Sequence, residues 1–488
     1  VTEQIIARTA QGRLRGARDG DALRFLGVPY ATSPLLAGRF AAPVPHPRWD
    51  GVRNALVYGA TSPQPDRGVT LIPEPIIAGD NELNLNVFTP ELGRAGLPVL
   101  VWIHGGGFFG GGNASPWYRG VSFARDGVVL VSVNYRLGAQ GFLEVPGAPA
   151  NRAVRDLVRA LEWVRENIAA FGGDPDRVTI GGQSAGGAAC GALLGVPSAR
   201  GLFRGALCMS GAALDQTPAG VSEVSERLSV LLGTATLDRS VLEGRPTREI
   251  LAASDVILQE LGPGQLSPDA DAVADVLGGG LRLPWGPWTD GDVVTEDPFT
   301  AARRGDVRVL AGATAHEFNM AWTGADWITW DMVSGGLARA GVPAEAAAAY
   351  LSRLDARPAD MVGQATTDRT FRVPAQRLAE AVSGGGGGAW VYDFGWTAPG
   401  GPLRGMAFHC LDVPFAFGTT GEPGVAEATG GATPEALVAD VHGAVVRFVA
   451  DGDPGWPGYT GASRAVMRFG EPSVLAYDPL RLERLAWT

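Results

Sequence analysis

Apolar positions along the chain fall into two recurring patterns. A continuous apolar run covers 98–104, and short, mainly apolar runs bounded by turn residues cover 128–135, 178–180, 203–210 and 307–312. Continuous apolarity over so short a length predicts strands buried on both faces, as in a parallel sheet. Residues 83–88 alternate instead, and 12–16, 23–30 and 390–394 read as further strands. Between these runs the period changes to helical. Val154, Leu157, Leu161, Val164 and Ile168 share one face of a helix over 153–171. Leu437, Val441, Val445 and Phe448 line another over 434–450, with Thr433 placed to cap it. Strand, helix, strand in this order predicts a doubly wound α/β fold around a mostly parallel sheet.

Irregular stretches punctuate the pattern. The Pro-rich 34–75 is long for a connection inside a compact domain, which predicts a wall or lid of a site. Residues 222–276 read as polar-apolar helices that leave the sheet. The five glycines at 384–388 separate a helix over 377–382 from a strand, so they read as an internal loop and not a boundary. The expectation is one domain spanning 1–488, with an inserted helical region at about 220–280. No internal repeat is visible.

Composition narrows the function classes. No run of eighteen apolar residues occurs, which argues against a membrane span. The net charge of −11 argues against nucleic acid and anionic membranes as partners. All 40 basic residues are arginine, a bias that carries no function by itself. Cys190, Cys208 and Cys410 are too few and too scattered for a disulfide framework or a zinc site, and neither a metal nor a cofactor is expected. No charged-then-apolar leader precedes the first strand, so the expected compartment is the cytoplasm.

Chemistry concentrates at Gly182-Gln-Ser184-Ala-Gly186, between the 178–180 strand and an Ala/Leu-rich helical run. That context is a nucleophile elbow, a strained strand-to-helix turn that needs small flanking residues and lifts a serine above the sheet. Ser184 is the candidate nucleophile, and the helix N-terminus beside it favours negative charge. Upstream, His104-Gly-Gly-Gly-Phe108 ends a central strand, where glycines let backbone N–H groups converge as an oxyanion hole. A base and an orienting carboxylate should follow the serine in the chain. His46 and His104 precede it, His442 has helical spacing, and His316 abuts a candidate acid; His409 remains. Glu317 stands just past a strand end and is the favoured acid, with Asp290 in a turn and Asp412 beside His409 as competitors. Trp285, Trp288, Trp322, Trp327 and Trp330 are read as either core or the lining of an aromatic pocket.

Phe25-Leu-Gly-Val-Pro-Tyr-Ala31, Trp102-Ile-His-Gly-Gly-Gly-Phe108, Asn134-Tyr-Arg-Leu-Gly138 and Phe171-Gly-Gly-Asp-Pro175 extend the pattern nearly end to end. With the Ser184 elbow, the Glu317 strand end and His409, the chain resembles the type-B carboxylesterase family, the cholinesterase-like branch of the α/β-hydrolases. The resemblance implies an α/β-hydrolase fold whose helical and loop insertions form a gorge. It implies a Ser184–His409–Glu317 triad, an oxyanion hole from Gly106, Gly107 and Ala185, and Ser210 hydrogen-bonded near the acid. The expected activity is hydrolysis of aryl or alkyl esters of small hydrophobic compounds, with an aryl carbamate or amide as the alternative bond and a non-catalytic binding protein as the remote one. The expected partner is a small-molecule ester.

Two departures stand out. The disulfide of animal members would fall at Ser62 and Glu82, and neither is cysteine. The residue before the nucleophile, usually Glu in the family, is Gln183, which removes a negative charge and any presumption in favour of cationic substrates. Leu157 replaces a common Gln, with no consequence that follows from the sequence.

Overall fold

The computed structural model describes residues 5–68, 70–214, 216–261, 270–279, 282–352 and 356–487. Its strands in chain order begin with β1 (Ile6–Arg8), β2 (Arg13–Arg15), β3 (Ala17–Asp19), β4 (Ala22–Pro29), β5 (Val52–Asn54), β6 (Asn84–Thr89) and β7 (Leu97–Ile103). They continue with β8 (Val129–Val133), β9 (Gly173–Gln183), β10 (Gly205–Met209), β11 (Arg308–Thr314), β12 (Ala389–Phe394), β13 (Ala465–Phe469) and β14 (Val474–Tyr477). Eleven of these form one sheet in the order β14-β13-β12-β11-β10-β9-β7-β8-β6-β4-β3, and β1-β2-β5 form a small second sheet. From β13 to β8 every neighbouring pair is parallel. Antiparallel strands close both edges.

Unbroken apolarity has the cause the pattern predicts. Along β7, Val99, Val101 and Ile103 enter one hydrophobic cluster while Leu100 and Trp102 enter another on the opposite face. Strand β8 divides the same way, Val129, Val131 and Val133 against Leu130. Successive strand side chains point to opposite faces, so a strand covered on both sides must be apolar at every position. The helices Arg152–Asn167 and Ala185–Leu194 cover the first face, and Glu435–Asp451 covers the second.

Several expectations change in detail. The helix predicted from 434 starts at Glu435; Pro434 holds the cap position in an extended conformation, and no side chain caps the helix, so Thr433 does not. The 34–75 stretch contains a short helix, Pro34–Ala37, and β5, which pairs with β2. Strands β13 and β14 were not predicted. Helices Pro218–Leu231, Arg239–Gly244, Thr247–Leu261 and Ala270–Gly279 occupy the excursion, while 262–269 and 280–281 lie outside the described residues. Among the described residues no helix is long and apolar enough to cross a membrane.

This order places the chemistry. Gly105 to Gly107 follow β7, Ser184 follows β9, Ser210 follows β10 and Glu317 stands three residues past β11. All lie at the carboxyl ends of neighbouring parallel strands, where open α/β sheets leave a crevice. Ser184 adopts φ 57° and ψ −124°, a conformation costly for a non-glycine residue that persists only when its surroundings impose it. They do: a Cβ on Gly186 would lie 2.0 Å from the Ile103 carbonyl oxygen, and one on Gly182 2.3 Å from the Gly186 carbonyl carbon.

Gly186→Ala should therefore destabilise the protein by about 2–3 kcal/mol or more, because its obstacle is backbone that cannot rotate away. Chemical denaturation checks this; a midpoint equal to the parent's would show that the turn has room to spare.

Candidate active site

Two chain segments are zipped together at the crevice. The His316 N–H donates to the Ala407 carbonyl at 3.0 Å, the Ala407 N–H to His316 Nδ1 at 3.0 Å, and the His409 N–H to the Glu317 carbonyl at 3.0 Å. This pairing brings the side chains of His409 and Glu317 together. Glu317, wholly buried, accepts the Thr314 N–H on Oε1 at 2.7 Å and meets His409 Nδ1 with Oε2. The competing carboxylates are engaged elsewhere. Asp290 caps its own turn through the N–H groups of Asp292, Val293 and Val294, and Asp412 accepts the Tyr392 hydroxyl at 2.7 Å.

Glu317 also governs the protonation of His409. Burial opposes a charge on the imidazole, while Cys410 and Glu317 favour it, and the net shift is well above the ordinary histidine value. Burial pushes the Cys410 thiol up and keeps it neutral, so the carboxylate carries the upward shift of its neighbour. Asp412 is pushed up to about 7 by burial and by the negative charge of Glu317. His104, by contrast, is lowered to about 4 by burial and stacks on Tyr135 at 4.6 Å. His442 bonds Ala416 and Asp126, away from the crevice.

The other ring nitrogen of His409 faces the elbow. Its Nε2 lies 3.2 Å from the side-chain amide nitrogen of Gln183, which donates to it when the imidazole is neutral. In the neutral imidazole with Nδ1–H directed at Glu317, Nε2 carries the lone pair a base requires, and the upward shift of His409 means that this form is reached by deprotonating Nε2. Gln183 was expected only to remove a charge; it sits on the lone pair itself. Aromatic rings hold the imidazole from the side, Phe318 at 4.7 Å and Phe371 at 5.4 Å between centroids. Phe371 belongs to a π-helical turn, Asp368–Arg372, pinned by Arg372 between Asp368 and Asp393.

Gly106, Gly107 and Phe108 all have positive φ, at 105°, 64° and 65°. A Cβ on Gly106 would lie 2.1 Å from the Gly110 carbonyl oxygen, so glycine is required there. Among the described residues the N–H groups of Gly106 and Gly107 have no acceptor. Ala185 opens the helix Ala185–Leu194, where the first N–H groups lack intrahelical partners. These glycines, Gln183, Ser184 and His409 line one cavity of about 310 Å³, whose remaining wall is mainly apolar.

One expectation is corrected and one open alternative is decided. Ser210 is buried with φ 50°, but its hydroxyl makes no hydrogen bond to a described residue. The acid's oxygens are engaged by Thr314 and His409 instead. None of the five tryptophans lines the cavity. Trp285 packs in the cluster shared with the sheet, and Trp322, Trp327 and Trp330 in a separate one under the helix Trp330–Arg339. The aromatic wall comes instead from Phe109, Tyr118 and Phe318. Sequence reasoning missed Phe371, Cys410 and the charged pair Arg67–Glu74, for which no local motif exists.

Comparison with known proteins agrees in extent. A model of the carboxylesterase family matches residues 3–486. The chain is 31% identical to the para-nitrobenzyl esterase of Bacillus subtilis, over 98% of this chain and 97% of the relative. It is 32% identical to the phenmedipham hydrolase of Pseudarthrobacter oxydans, over 99% and 98%. Among solved structures, a Geobacillus stearothermophilus carboxylesterase superposes with a TM-score of 0.84 at 33% identity, covering 99% of this chain and all of that one.

The carboxylate's effect on His409 is measurable by NMR titration of the imidazole. The native His409 should titrate well above about 6.5, the ordinary value, and Glu317→Gln should move it downward. Gln183→Glu, which places a negative charge on the other nitrogen, should move it further up. Unchanged titration in both variants would contradict the assigned cause.

Proposed function

This chain belongs to the carboxylesterase family and acts as a hydrolase on carboxylic esters, and from that premise we propose that Ser184, His409 and Glu317 are its catalytic triad. Ser184 Oγ attacks the acyl carbonyl while His409 Nε2 takes its proton, which requires Gln183 to release that nitrogen. Glu317 holds the imidazole by Nδ1–H and stabilises the imidazolium as it forms. The N–H groups of Gly106, Gly107 and Ala185 receive the oxyanion, charge that exists only in the transition state. His409 then gives its proton to the departing alcohol, and water repeats the sequence on the acyl-enzyme.

The observation that carries this reading is convergence: a strained serine, a carboxylate-paired imidazole and two N–H groups without acceptors meet at one cavity. A volume of about 310 Å³ suits esters of small compounds. Leu214 and Leu283, which flank the helical excursion, both line it. That supports treating 1–488 as one catalytic domain whose insertion helps to wall the gorge. Similarity to a phenmedipham hydrolase keeps an aryl carbamate as the second candidate bond, since the same triad and oxyanion hole serve any acyl carbonyl.

Ser184→Ala should lower kcat on a 4-nitrophenyl ester by roughly 10⁴–10⁶-fold, and near-parental turnover would remove Ser184 from the mechanism. A matched panel of aryl acetate, butyrate, carbamate and anilide settles the bond. Esters are expected to dominate after correction for intrinsic reactivity; a competitive carbamate or anilide would reassign the enzyme to C–N cleavage.

A further inference from the structure

The cavity at Ser184 has a mainly apolar wall that a charged pair interrupts. Apart from His409, its acidic and basic side chains among the described residues are Arg67 and Glu74, both from the 62–77 loop. Arg67 Nη2 is paired with Glu74. The guanidinium lies over the Phe109 ring at 5.2 Å and packs on the glycine turn of the oxyanion hole, where a Cβ on Gly110 would be 2.5 Å from Arg67 Nε. Phe109 and Gly110 thus fix its position from one side, and Glu74 from another.

Glu74 engages only one corner of this group. Nε and Nη1 of Arg67 make no hydrogen bond to a described residue. The side chain is 24% exposed, and its pKa is lowered by burial. The guanidinium is partly withdrawn from water and keeps donors that Glu74 does not occupy. An anionic acceptor entering the cavity restores what burial removed, through a charge-assisted hydrogen bond stronger than a neutral one. In a mainly apolar pocket, a single fixed polar group of this kind sets substrate orientation and selectivity.

Resting on the esterase reading, we propose that Arg67 is a specificity-determining residue that selects esters carrying a carboxylate. Glu74 has two effects on that selection. It holds the guanidinium in place, and its own charge repels the incoming carboxylate, so it moderates the preference. The carboxylate can belong to the acyl or the alcohol portion, and the chemistry at Arg67 is the same in either case.

The test is a set of substrate ratios, in which intrinsic reactivity cancels between variants. The acyl pair is monoethyl adipate against ethyl hexanoate, and the alcohol pair is 4-acetoxybenzoate against 4-methylphenyl acetate. For each, the ratio of kcat/KM for the anionic to the neutral ester is measured in the native protein, Arg67→Gln and Glu74→Gln. The expected result is a fall of tenfold or more in Arg67→Gln for at least one pair, and a rise in the same pair in Glu74→Gln. The pair that responds identifies the side of the ester that faces Arg67. Ratios within twofold of the native value in Arg67→Gln for both pairs overturn the proposal. If Arg67→Gln does not fold, Arg67→Lys and Arg67→Met are compared instead: a ratio at least several-fold lower in Arg67→Met supports the proposal, and a smaller difference overturns it. Failure of the esterase reading looks different, since neutral esters would then show no turnover dependent on Ser184.

Discussion

Close approach of backbone to backbone is the constraint on which the site depends. The Ile103 carbonyl lies where a side chain on Gly186 would be, the Ser184 carbonyl where one on Gly211 would be, and the Gly110 carbonyl where one on Gly106 would be. Three connections after three neighbouring strands are thereby pressed into one volume. A methyl group at any of these glycines would push a strand end or a helix start out of register with its neighbours. The positive φ of Ser184 follows from that crowding. Hydrophobic burial builds the sheet, but the absence of side chains at these few positions lets its carboxyl edge converge.

The acid and base are assembled by a different means. Glu317 and His409 are 92 residues apart and come together because their flanking backbones exchange hydrogen bonds, as two short strands would. The imidazole is then fixed on four sides: Glu317 on one nitrogen, Gln183 on the other, and Phe318 and Phe371 against the ring. Phe371 depends in turn on the buried Arg372 with its two carboxylates. A buried guanidinium is tolerable only with such full pairing, so that network has little freedom to rearrange.

Legibility in the sequence tracked how local the cause was. The strands of the parallel region were readable because burial on both faces demands apolarity at every position. The Ser184 turn was readable because its glycines stand at fixed offsets. The proximity of His409 to Glu317 was readable only through chain order and a strand end, without sight of the backbone zipper. Phe371 was not readable, since a π-helical turn stabilised by Asp368, Arg372 and Asp393 leaves no spacing of its own. The tryptophans were ambiguous because aromatic content says that a residue is buried, not which cluster receives it. Thr433 has the right chemistry for a cap, yet Pro434 is extended and delays the helix start by one residue.

The loop that carries Arg67 is fastened without a covalent staple. Ser62 donates to the Tyr135 carbonyl at 2.6 Å, Thr61 and Ile77 exchange hydrogen bonds, and Gln64 clasps both the N–H and the carbonyl of Gly111 at 2.8 Å. Glu82 is buried and pushed up to about 7 by that burial. Fastenings of this kind are indifferent to thiol reductants and oxidants, and all three thiols are buried and unpaired. The gorge wall is therefore as well attached in a reducing milieu as in an oxidising one. Its attachment responds instead to solutes that compete for peptide hydrogen bonds, which can loosen the wall while the sheet beneath it stays intact.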